Sequence, residues 1–109
     1  MEFKAVVISA DLPSQGPINL GVVVLDEAAD RIGFRFRTDL DAITTAPDLE
    51  VIQGLPAMIE AMAAEMGALG LLRFLEDSAS NSIRLSDRIT IQANNATDAI
   101  ELVFAEHVA

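Results

Sequence analysis

Between Arg31 and Arg37 the chain reads RIGFRFR, and its character changes at every second residue. Ile32, Phe34 and Phe36 fall on one side of an extended chain, while Arg31, Arg35 and Arg37 fall on the other, with Gly33 between them. A helical period of 3.6 would scatter this pattern around a cylinder, so the segment predicts a strand with one buried and one solvated face. Such a strand needs neighbours, and the preceding sequence supplies two. Residues 3–10 contain β-branched Val6, Val7 and Ile8. Residues 18–25 (INLGVVVL) form a near-continuous apolar run, which suits a strand covered on both faces at least through Val22 to Val24. Residues 11–17 (DLPSQGP) read as a loop, and residues 26–30 (DEAAD) are short enough for a hairpin connection. The first 37 residues therefore predict a three-stranded antiparallel meander.

The pattern then changes period. Residues 38–47 form a connection with room for an early helical turn, and residues 47–54 and 55–66 predict helix. Ile52, Leu55, Ile59, Met62, Met66 and Leu69 recur at spacings of three and four. Pro56 either kinks one helix or opens a second, and Gly54 just before it favours two. A second stripe, Ala57, Ala61, Ala64 and Ala68, would allow close approach to a sheet or another helix. Gly67 and Gly70 punctuate the end of this helix, residues 71–76 suit a further short helix, and residues 77–82 are a polar break. Residues 83–91 alternate, but Asp87 falls in the apolar phase and predicts a turn or bulge around Ser86 and Asp87. Asn95 is placed to cap a terminal helix with Asp98 in its first turn and an apolar face of Ile100, Val103, Phe104 and Val108. The expectation is a single α+β domain over residues 1–109: a small, mainly antiparallel sheet, made of the meander plus a later strand, with helices packed on one face.

Composition narrows the classes of function. With 51% apolar residues, the 109-residue chain is suited to one folded core and is too apolar for an acidic disordered segment. Seven cations against 17 acids leave a net charge of −10, which disfavours nucleic acid or an anionic membrane as principal partner. The charge is uneven: residues 41–80 hold one cation and seven acids, while residues 31–37 hold a local basic row. No cysteine is present, so disulfides, thiolate metal sites and a cysteine nucleophile are excluded. The N-terminus leads into a strand-like run and not a signal core, and the uncharged stretch 12–25 is broken by Pro13, Gly16 and Pro17. A cytoplasmic location with no membrane association is expected.

Catalytic constellations are sparse. The single histidine, His107, lies in the last turn of the terminal helix, where a charged imidazole complements the helix C-terminus. None of the serines sits in a nucleophile-elbow pattern. Asp26, Glu27 and Asp30, and the pair Asp39 and Asp41, lack the spacing of a calcium loop and read as solvated turn carboxylates. The glycines make no phosphate-binding motif. No metal, cofactor or catalytic residue is assigned. The row Arg31, Arg35 and Arg37 could grip an anion or a partner, although pairing with acidic neighbours explains it more simply. The Met58, Met62 and Met66 column reads first as core filling and second as an adaptable binding surface.

The run PINLGVVVL, the acidic hairpin and RIGFRFR, together with Ala99-Ile100, Leu102-Val103-Phe104 and His107-Val108, resemble the bacterial DUF3037 family of uncharacterised proteins. The matching positions in the second strand are Asn19, Gly21, Val22 and Val23. The resemblance covers both ends well and the middle loosely, and the connection after the third strand is shorter than the family pattern. It implies a small cytoplasmic protein with a partner-binding role and transfers no catalytic residues; Asn19 and Gly21 would serve structure.

These readings together predict a non-enzymatic protein–protein interaction module or regulatory subunit. Its partner would be another protein, and a basic one would meet the acidic helical segment; homodimerisation through an edge strand or the alanine stripe is a further expectation. The alternatives are a small enzyme or ligand-binding protein using Arg31, Arg35 and Arg37 for an anionic ligand, and an acidic inhibitor that mimics nucleic-acid charge.

Overall fold

A computed structural model describes residues 1–12, 16–39, 42, 48–77 and 83–108. The chain forms an α+β fold around one antiparallel sheet. Strands β1 (Glu2–Leu12), β2 (Gly16–Asp26) and β3 (Arg31–Phe36) make the expected meander. Helices α1 (Asp48–Gln53) and α2 (Leu55–Asp77) follow, then β4 (Ile83–Leu85), β5 (Ile89–Gln92) and the terminal helix α3 (Ala96–His107). Strand order is β3-β2-β1-β4, with β5 also on β1.

The first connection is shorter than its two prolines suggested. Asp11 pairs with Pro17 and Leu12 with Gly16, so the strands run on into the segment expected to be loop. Gly16 takes φ +73°, a conformation that other residues resist, where β2 begins. Residues 13–15, much of the 38–47 connection and residues 78–82 lie outside the described residues; within the connection, Ala42 N–H donates to the Asp39 carbonyl at 2.9 Å.

The helices do not share one face. Val6, Ile8 and Ala10 of β1 pack with Ile52, Leu55, Ile59, Leu71, Leu72 and Leu75 from α1 and α2. Phe3, Ala5 and Val7, on the opposite side of the same strand, pack with Ala99, Val103 and Phe104 of α3. The reason lies in β1 and β2, which are apolar on both sides and leave two faces to be covered. Residues 20–25 of β2 are buried without interruption.

Two bulges make the alternation serve both cores. In β2, Ile8 opposes Gly21 while Ser9 opposes Asn19, so Leu20 is an extra residue. Ile18 and Leu20 consequently share the α1/α2 side with Val23 and Leu25, although their sequence parity differs. On the other edge, Leu85 opposes Ile8 and Ile89 opposes Ala5, so residues 86–88 span only Val6 and Val7. Ile83 and Leu85 therefore face the α1/α2 core, whereas Ile89 and Ile91 face α3. Asp87, out of phase in the sequence, sits in this bulge and is exposed.

Pro56 is the second residue of a new helix, and Gly54 lies between the two helices. Gly67 interrupts α2 at φ 76°, ψ 168°, after which the chain is helical again to Asp77. Residues 71–76 thus belong to the second half of α2.

Candidate functional site

The arginine row lies on the α3 side of β3. Ile32, Phe34 and Phe36 pack against the α1/α2 core, which turns the odd-numbered residues toward α3. Gly33 lets α3 come close: a Cβ there would meet Ile100 Cδ1 at 2.6 Å. Arg35 stacks its guanidinium 4.1 Å from the centre of the Phe104 ring and donates from Nη1 to Glu101 Oε2 at 2.5 Å. Arg37 grips Asp39 through Nε and Nη2, both at 2.9 Å. That bidentate hydrogen bond holds the Asp39 carboxyl below the usual carboxylate range and raises Arg37. Arg31 is exposed and has no ion pair or hydrogen-bonding side chain among the described residues.

The three arginines do not converge. Arg35 and Arg37 line a depression of about 270 Å³ shared with Thr38, Phe104 and Val108. Arg31 lines a separate one of about 470 Å³ beside Asn95, Ala96 and Thr97 at the start of α3. Asn95 caps that helix as expected, its Oδ1 accepting Asp98 N–H at 2.8 Å. At the other end, the His107 carbonyl accepts from Asn19 Nδ2 at 2.6 Å, while the exposed imidazole lies 3.7 Å from Glu106. Asn19 thus ties β2 to α3, and Gly21 leaves room for Phe36, whose ring a Cβ would meet at 2.6 Å.

The turn carboxylates have structural work. Asp26 Oδ1 accepts Ala29 N–H at 3.3 Å, and Asp30 Oδ1 accepts Ala68 N–H at 3.0 Å. Among the described residues no group of three or more histidine, cysteine or acidic side chains is arranged to hold a metal ion.

The outward face of α2 is the feature that sequence reasoning undervalued. The helix is apolar and long enough to cross a membrane by length and composition, yet only 28% of its most apolar window is buried. Leu55 and Ile59 enter the core, with Met62 partly buried against it. Met58 and Met66 are 36% and 41% exposed, so the methionine column is core filling only at Met62. Ala57, Ala61 and Ala64 face solvent, and of the alanine stripe only Ala68 is buried. Glu60 and Glu65 stand about 140° apart around the helix, one on each flank of the exposed alanines. Neither carboxylate has a hydrogen bond or ion pair among the described residues. The available signal was the near absence of polar residues on any side of residues 55–66, since a helix apolar all round has a face left over when only one side meets the sheet.

No family model, curated protein or solved structure matches the chain.

Proposed function

We propose that the chain is a non-enzymatic interaction module, a subunit or regulator that engages another protein in the cytoplasm. The observation that carries this reading is the first half of α2, whose apolar outward surface has acids on both flanks and no packing partner among the described residues. Adaptable methionines beside small alanines accommodate a second apolar surface at low steric cost. The partner-binding role implied by the DUF3037 resemblance agrees with the same reading.

An anionic ligand on the arginine row has less support. Glu101 and Asp39 already occupy Arg35 and Arg37, and an anion would have to displace both carboxylates. Charge mimicry calls for carboxylates in a row, whereas Glu60 and Glu65 lie on opposite flanks.

Site-specific photo-cross-linking in the native host tests the interaction reading. A photoreactive side chain at Ala61 is expected to trap one distinct protein that the same group at Thr90 on β5 does not. Identical products from both positions, or none from Ala61, would remove the reading.

A further inference from the structure

We infer that the outward face of the first half of α2 receives a cationic amphipathic helix, with an apolar stripe flanked on both sides by lysine or arginine. This rests on the interaction reading above and adds the chemistry of the partner.

Shape comes first. Ala57, Ala61 and Ala64 recur along the exposed ridge at spacings of four and three, so another helix can approach until its larger side chains fill the spaces between them. Met58, 36% exposed, borders that ridge and can adjust to the incoming surface. An extended strand would match this geometry poorly, because its side chains repeat every second residue and not along a helical ridge.

Charge decides between occupants. Glu60 and Glu65 border the ridge on its two sides, and no lysine or arginine occurs between Arg37 and Arg73. A second copy would bring four rim carboxylates together with no cation on either face to offset them, in an assembly of two chains each carrying −10. An anionic membrane surface has the same sign and is disfavoured for the same reason. A helix with cations on both margins of its apolar stripe reverses every one of these interactions, and each unpaired glutamate gains a partner.

The test uses the full chain and three synthetic 18-residue helical peptides. They share one leucine–alanine stripe and differ only in flanking lysine, glutamine or glutamate. Titration at low salt is expected to show the lysine peptide binding at least tenfold tighter than the glutamine peptide, with the glutamate peptide weakest. Glu60→Gln combined with Glu65→Gln should shrink the difference between lysine and glutamine peptides severalfold. Ala61→Gln should weaken the lysine peptide at least tenfold; it leaves the net charge unchanged, so general attraction to an acidic protein predicts no effect. Far-ultraviolet circular dichroism verifies that both variants fold, and Ala57→Gln serves in place of any that does not. Equal binding of all three peptides, or lysine-peptide binding untouched by Ala61→Gln, overturns the inference. So does sedimentation of the chain as a dimer that Ala61→Gln dissociates, or flotation with neutral phosphatidylcholine vesicles. A distinct protein trapped at Ala61 alongside equal peptide binding would leave the interaction module standing and reject only its cationic partner.

Discussion

Asp30, at the end of the β2–β3 turn, accepts the backbone N–H of Ala68 at 3.0 Å across 38 residues of sequence. It does so where α2 restarts after Gly67, so a turn carboxylate caps the second half of a helix to which it is not connected. Asp30 itself takes φ 50°, a conformation that aspartate tolerates better than most residues. The contact ties the β2–β3 turn to the start of the second half of α2.

Asp30→Ala should therefore destabilise the protein by about 1 kcal/mol, while Asp30→Asn should cost less, because asparagine also caps and also adopts positive φ. Chemical denaturation gives the stabilities. Amide exchange at Ala68 and Leu69 should accelerate in the alanine variant before exchange in β1 does.

Gly67→Ala should cost about 1–3 kcal/mol. The backbone there adopts φ 76°, ψ 168°, and a Cβ would lie 3.3 Å from the Asp30 carboxylate. Combining it with Asp30→Ala tests the coupling: the carboxylate contact disappears and the backbone strain remains, so the double variant should lose the cap but recover none of the strain.

Ser86 forms the other unusual junction. Its Oγ accepts Val7 N–H at 2.8 Å, and its own N–H donates to the Val7 carbonyl at 2.9 Å, so a side chain completes the ladder where the bulge interrupts it. Ser86→Ala strands a backbone donor and is expected to cost about 1–3 kcal/mol. Ser86→Thr keeps the hydroxyl and should cost less. Equal stability of all three forms, measured by thermal unfolding, would mean that water satisfies Val7.

The pair Glu76 and Arg88 supplies a pH dependence. Two hydrogen bonds, 2.7 and 3.0 Å, join the end of α2 to the bulge, and hydrogen bonding to Arg88 holds the Glu76 carboxyl below its ordinary range despite partial desolvation. A carboxylate whose folded pKa is depressed stabilises the fold above its unfolded pKa, and this stabilisation disappears as pH falls through the folded value. Both side chains are about one-third exposed, so Glu76→Gln should cost only about 0.5 kcal/mol at pH 7. The gap from the unsubstituted protein should close at lower pH, once Glu76 is protonated in the folded protein as well. Denaturation curves at several pH values measure it.

Much of this architecture could be read from residue order. The RIGFRFR alternation, the apolar run 18–25 and the short acidic turn specified the meander because period and turn chemistry act locally. Asn95 identified the start of α3 by the same logic, and Asp87 marked the bulge by breaking its own alternation.

The two-sided arrangement of the helices was decided by tertiary structure. β1 and β2 bury both faces, and once α1 and α2 cover one, α3 has the other left to cover. The fate of the arginines was settled in the same way. Arg35 meets Glu101 and Phe104 because α3 packs across β3, and the Arg35–Glu101 contact joins residues 66 apart in sequence. The outward face of α2 belongs to the same class. Periodicity identifies which residues share a side of a helix, but burial depends on what else reaches that side, and the sheet reaches only Leu55, Ile59 and their neighbours. The sequence by itself determined the meander, the acidic β2–β3 turn and the capped terminal helix; packing decided how far the first two strands run, which arginines were already engaged and which apolar face remained uncovered.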